Sequence, residues 1–161
     1  MFISPSLGVI SSKRMISEIV KFIKQDSKNY YRLVIGTDSQ VKKLNGVSEC
    51  DYVTAVIIHR IGQGARYFWR KEKVKMLPVL RDKIYKETMM SLKTAESLVP
   101  EIRKSINGSG RYELEIHIDV GQLGPTRDMI KEVVGMVTGS GYIAKTKPDS
   151  WGASSVADKH T

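Results

Sequence analysis

Between Tyr112 and Val120 the chain alternates without a break, with Tyr112, Leu114, Ile116 and Ile118 on one side and Glu113, Glu115, His117 and Asp119 on the other. A period of two belongs to a β-strand, because a helix would scatter those apolar residues around its circumference. One face of that strand must be buried in a sheet, and a carboxylate stands near its end. Three other runs also read as strands that could pair with it. Tyr31 to Thr37 is apolar and short and stops at Asp38-Ser39-Gln40; Asp51 to Arg60 is rich in Val53, Thr54, Val56, Ile57 and Ile58; Ala65 to Val74 follows the turn Ile61-Gly62-Gln63-Gly64. A short fifth strand covers Tyr142 to Lys147.

Helical spacing fills the intervals. From Ser11 or Ser12, a plausible cap, Ile16, Ile19, Val20 and Ile23 share one face while Lys21 and Lys24 point outward. Leu77 to Val99 is the longest such pattern, with Leu80, Ile84, Thr88, Ser91, Ala95 and Leu98 on its inner side and Pro100 after its end. The turn Asn107-Gly108-Ser109-Gly110 leads into the alternating strand; Thr126 is placed to cap a helix through Met129, Ile130, Val133, Val134 and Val137, and Pro148-Asp149-Ser150 introduces a last one. The order helix, three strands, helix, strand, helix, strand, helix predicts an α/β fold. An antiparallel meander of strands 1 to 3 continues through right-handed crossovers into parallel strands 4 and 5, a mixed five-stranded sheet with helices on both faces. Residues 1–161 are expected to form a single domain, with 1–28 as an N-terminal helical extension.

Composition narrows the partners. Lysine and arginine number 26 against 17 acids, a formal net charge of +9, so the surface attracts polyanions, nucleic acid first among them. The apolar runs are far shorter than a bilayer requires, and no basic-then-apolar leader opens the chain, so the expected location is cytoplasmic with no membrane partner. One cysteine, Cys50, and three histidines argue against an internal disulfide and against structural zinc.

In open α/β sheets, ligands gather beyond the carboxyl ends of parallel strands. Asp38 and Asp119 close strands 1 and 4, which are neighbours in this topology, and two carboxylates so placed repel unless a cation lies between them. Glu87 sits on the margin of the apolar stripe of the long helix, where a buried acid needs a metal or a salt bridge to Arg81 or Lys83; Glu96, on the opposite margin, is the alternative helix carboxylate. Asp158 lies two turns into the last helix among Gly152, Ala153, Ser154, Ser155 and Ala157, small residues that permit close approach to the sheet. Four acids from four elements, all oxygen donors, suit Mg2+ or Mn2+ and a two-metal attack on a phosphodiester.

Gly36-Thr37-Asp38-Ser39-Gln40, Glu87-Thr88, His117-Ile118-Asp119-Val120-Gly121, Gly135-Met136-Val137 and the closing Ala157-Asp158-Lys159-His160-Thr161 together resemble the ribonuclease H-like YkuK family of bacterial proteins, from about Tyr31 onward. That resemblance implies the ribonuclease H-like superfold. Its nucleases and resolvases place acids on strand 1, the first core helix, strand 4 and the last helix, positions that Asp38, Glu87, Asp119 and Asp158 match in turn. The function it implies is a metal-dependent nuclease acting on RNA, DNA or a hybrid. The alternative is an inactive nucleic-acid-binding module on the same fold.

Ser39, Gln40, Arg127, Lys159 and His160 are the candidate substrate contacts, with Gly121, Gly124 and Thr126 offering backbone amides to phosphate. His117 is better read as a satisfied core histidine than as a catalytic one. Arg66-Tyr67-Phe68-Trp69-Arg70-Lys71 interleaves aromatics with cations, which fits a nucleic-acid strand and fits core packing by one strand face equally well.

Overall fold

The computed structural model describes residues 1–75, 78–108 and 110–160, the side chains of residues 153 and 157 apart. Leu77, the expected start of the long helix, Ser109 of the glycine-rich turn and Thr161 of the closing motif lie outside the described residues. The elements are β1 (Phe2–Ser4), β2 (Gly8–Ile10), α1 (Ser12–Gln25), β3 (Tyr30–Leu44), β4 (Val47–Arg60), β5 (Ala65–Val74), α2 (Leu80–Ile106), β6 (Arg111–His117), α3 (Ile130–Gly139), β7 (Ile143–Lys145) and α4 (Trp151–His160).

The sheet has seven strands in the order β2-β1-β5-β4-β3-β6-β7. Its middle is the expected one. β3, β4 and β5 form an antiparallel meander, and β3, β6 and β7 run parallel. The two added strands come from the first ten residues, expected only as part of a helical extension, which fold into a hairpin that pairs with β5 through Ile3 and Trp69.

Side-chain parity on β3 decides what each helix covers. Tyr31, Leu33 and Ile35 join the main core with α1, α2 and α3, whereas Val34 packs with Ala55, Ile57 and Val156 of α4 on the opposite face. On the first face, α1 starts at Ser11, whose Oγ accepts from the Arg14 amide at 3.0 Å, and buries Met15, Ile19, Val20, Phe22 and Ile23. On the second, α4 comes close because residue 152 is glycine. A Cβ there would lie 2.7 Å from Val34 Cγ1 and 3.1 Å from His117 Nδ1. That space is taken instead by a hydrogen bond from the Gly152 amide to His117 Nδ1, at 3.0 Å.

Four boundaries differ from expectation. β6 ends at His117 rather than Val120, where its pairing with β3 and β7 stops, so Asp119 lies beyond the strand instead of closing it. β3 does not stop at Asp38 but runs on to Leu44, because Asn45 and Gly46, with φ of 50° and 78°, form a two-residue turn whose twist matches a long hairpin. α2 passes through Pro100, which removes one backbone hydrogen bond at a cost of about 3 kcal/mol. Ile102 and Ile106 beyond it are buried and offset that cost at about 1.5–3 kcal/mol each. Thr126 does not cap α3; its own backbone is already helical (φ −89°, ψ −4°), and its Oγ1 accepts from the Gly121 amide at 3.2 Å.

Candidate active site

The last residue of β3 paired with β6 is Gly36, opposite His117. Two residues further, where β3 has only β4 beside it, stands Asp38. The site is therefore the notch left where β6 ends and the β3–β4 hairpin continues. Parity turns Thr37 and Ser39 toward α2 and Asp38 toward the α4 side. Thr37 Oγ1 is hydrogen-bonded to Ser91 Oγ of α2 at 2.9 Å and to Thr54 Oγ1 at 3.0 Å, which fixes the helix against the strand at this level.

One helical turn before Ser91, Glu87 faces the same strand. It is 3% exposed, and its Oε1 accepts a short hydrogen bond from the Ser39 hydroxyl. Its Oε2 is buried with no hydrogen-bond partner. Burial, with Asp38 and Asp119 adding repulsion, pushes its carboxyl up to about 8 against the lowering effects of Ser39 and Lys83. Asp38 is also raised, by burial first and then by Asp119, against the lowering effects of the Ser39 amide, which donates to its Oδ1 at 2.9 Å, and of Lys83. Glu96, the alternative helix acid, is exposed and takes no part. The salt bridge to Arg81 or Lys83 is not made: Arg81 pairs with Glu132 at 3.1 Å, and Lys83 acts on Glu87 only through the field.

Asp119 lies two residues past β6, half-buried, with its Oδ1 2.9 Å from Lys147 Nζ. Asp158 is exposed on α4 and reaches the group only as a repulsion on Asp38. The four acids thus share one electrostatic neighbourhood without closing on one another. Among the described residues no three His, Cys, Asp or Glu side chains converge closely enough to hold a metal ion. Three of the four have a separate restraint: Glu87 is held by Ser39, Asp38 by the Ser39 amide and Asp119 by Lys147.

The donor set still fits a hard divalent cation. A carboxylate oxygen buried without a partner beside a second raised acid is costly unless protonated or bound to a cation, and all four candidates are oxygen donors.

The supporting residues divide. Ser39 orients Glu87, and Gln40 and Arg127 are exposed. Gly121 does not offer its amide to phosphate, since Thr126 accepts it. Lys159 and His160 turn away from the acids. Lys159 Nζ lies 5.9 Å above the Tyr67 ring, and His160 stacks on Trp69 at 3.6 Å with 10° between the planes. His117 is a satisfied core residue, its Nε2 3.2 Å from Glu115 Oε2 and its Nδ1 accepting from Gly152; burial lowers its basicity, consistent with a neutral ring. Glu115 in turn meets Arg32 at 3.4 Å, and this buried chain of contacts ties α4 to the sheet. Lys83 was expected from the sequence as a salt-bridge partner for Glu87, whereas Lys147 was not singled out. The first stands four residues before Glu87, a spacing that marks one helix face; nothing local links the second to Asp119.

Comparison with known proteins agrees with this architecture. The profile of the family described as "Ribonuclease H-like" matches residues 14–161. The chain is 32% identical over 170 residues to the "Uncharacterized protein YkuK" of Bacillus subtilis (strain 168), covering 100% of this chain and 96% of that protein. No solved structure gives a significant match.

Proposed function

Given that this chain belongs to the ribonuclease H-like family, in its YkuK branch, we propose that it is a divalent-metal-dependent nuclease hydrolysing phosphodiester bonds of RNA, DNA or a hybrid. The observation that carries this reading is Glu87: a helix carboxylate with one oxygen fixed by Ser39, the other buried and unpartnered, beside Asp38. Asp38, Glu87, Asp119 and Asp158 would hold Mg2+ or Mn2+. Such ions, when bound, would activate a water and stabilise the leaving oxygen during in-line displacement.

The chain's own groups set the conditions for that chemistry. Ser39 keeps Glu87 in one rotamer, so its second oxygen faces the site already oriented. Lys147 holds Asp119 to one side and must release it as the acids gather. Gln40, exposed two residues past Asp38, and exposed Arg127 would contact phosphates, and the net charge of +9 draws the polyanion in. No helix among the described residues is long and apolar enough to cross a membrane. We place the protein in the cytoplasm, where the lone buried Cys50 would stay reduced.

The test is cleavage of a panel of RNA, DNA, hybrid and branched substrates with Mn2+. Wild type is expected to cut at least one, and Asp38→Asn to lose that activity while its circular dichroism is unchanged. Cleavage that persists in Asp38→Asn refutes the assignment. One observation favours a second reading, a binding module without turnover: Lys147 already neutralises Asp119. That reading predicts salt-sensitive binding to nucleic acid and no metal-stimulated cleavage.

A further inference from the structure

The face of β5 that meets α4 presents Tyr67, Trp69, Lys71 and Lys73 in one row. Tyr67 and Trp69 pack against Val34, Ala55, Ile57 and Val156, whereas Phe68 enters the opposite core and Arg70 donates to Thr94 of α2 at 2.9 Å. Lys71 and Lys73 continue the parity of Trp69 and are exposed; Lys73 lies opposite Asp51 of β4, whose carboxylate is paired with Lys42 at 3.0 Å. The last turn of α4 lies over the row. His160 is stacked on Trp69 at 3.6 Å and 10°, its Nε2 is 3.4 Å from Tyr67 Oη, and Lys159 Nζ sits above Tyr67.

Strand register relates this row to the acids. Lys71 pairs with Val53, and Val53 pairs with Asp38. Two strand spacings therefore separate Lys71 from Asp38, about 10 Å, and Trp69 is one same-face step back along β5, about 7 Å. Cations and a flat aromatic surface thus share a face with Asp38, close enough for one short stretch of polymer to touch both.

We propose that Trp69 and Tyr67 form a stacking platform for an unpaired nucleobase, with Lys71, Lys73 and Lys159 holding the adjoining phosphates and His160 occupying the base's place until a single strand displaces it. The imidazole is a flat ring lying parallel to Trp69 at stacking distance, the arrangement a base adopts on an aromatic side chain. It comes from the last turn of α4 and is itself partly exposed. A blunt duplex hides its base faces in its own stack, so the platform selects nucleic acid with a single-stranded segment. The proposal rests on the nuclease reading of the adjacent acids and names the substrate feature that reading leaves open.

Binding is measured in EDTA, so it does not depend on turnover. In a Trp151→Phe background Trp69 is the sole tryptophan, and a short oligothymidylate is expected to quench its emission while a blunt duplex of equal length does not. Trp69→Ala should weaken oligothymidylate binding about tenfold or more. His160→Ala should strengthen it several-fold. Lys71→Gln with Lys73→Gln, at exposed positions that do not threaten folding, should weaken it and lower the slope of log affinity against log salt by about two.

Absent quenching, affinity unchanged in the lysine pair, or weaker binding by His160→Ala overturns the platform. The two readings fail separately. Quenching without any Mn2+-dependent cleavage removes the nuclease and leaves the platform; cleavage of blunt duplex without quenching removes the platform and leaves the nuclease.

Discussion

Replacing Glu87 by glutamine should change the pH dependence of stability more than the stability itself. The carboxyl is raised from 4.5 to about 8 in the folded chain, so the folded state holds its proton more tightly than the unfolded state does. The resulting stabilisation is complete below about pH 4.5 and is lost as pH rises toward 8, because the unfolded chain ionises freely while the buried group cannot. Each pH unit across that window is worth about 1.4 kcal/mol, giving about 5 kcal/mol over its full width. Glutamine mimics the protonated acid and titrates nowhere. In EDTA, urea unfolding of wild type should therefore lose stability relative to Glu87→Gln between pH 5 and 9, by an amount of order 4 kcal/mol. Millimolar Mn2+ should restore wild type at the alkaline end and leave the variant unchanged. Parallel stability curves for the two proteins would refute the reasoning, for they would mean that Glu87 is solvated or already paired.

Three other outcomes follow from the packing. Gly152→Ala should cost about 1–3 kcal/mol, since its methyl would meet Val34 and His117, and limited proteolysis should then cut within α4; an unchanged melting temperature contradicts the close approach. Lys147→Met should tighten Mn2+ binding about two- to fivefold in calorimetry by freeing Asp119 from a half-exposed ion pair, and weaker binding would show that the lysine supports the site instead. Pro100→Ala should stabilise the fold by about 2 kcal/mol in urea unfolding, because the helix already continues through that position; destabilisation would mean that the helix breaks there.

What the sequence shows is uneven for reasons visible at particular residues. The alternation at Tyr112–Val120 and the apolar runs at Tyr31 and Val53 yield the meander and the parallel strands, since each is long enough to show its period. β1 and β2 are three residues each, too short to show one, and exist because β5 offers them an edge. The extension of β3 past Asp38 was legible in Asn45-Gly46, a hairpin signal that outweighs the polar residues around it. Pro100 reads locally as a stop, and only the burial of Ile102 and Ile106 overrides it.

Within the site, helical spacing leaves Glu87 and Glu96 on opposite margins of one apolar stripe, and only the burial of Glu87 separates them; strand parity places Asp38 on the α4 face. The ion pair of Lys147 with Asp119 and the stack of His160 on Trp69 join residues far apart in the chain, so no local pattern announces them.

Divalent cations should draw Asp38, Glu87, Asp119 and Asp158 together. Anomalous diffraction from crystals of the full chain soaked in Mn2+ tests it directly. Anomalous peaks are expected in the notch between the β3–β4 hairpin and the end of β6, bounded by Asp38 and Glu87, with Lys147 withdrawn from Asp119. A crystal with no manganese in the notch, Lys147 still on Asp119 and Glu87 held only by Ser39, would contradict it.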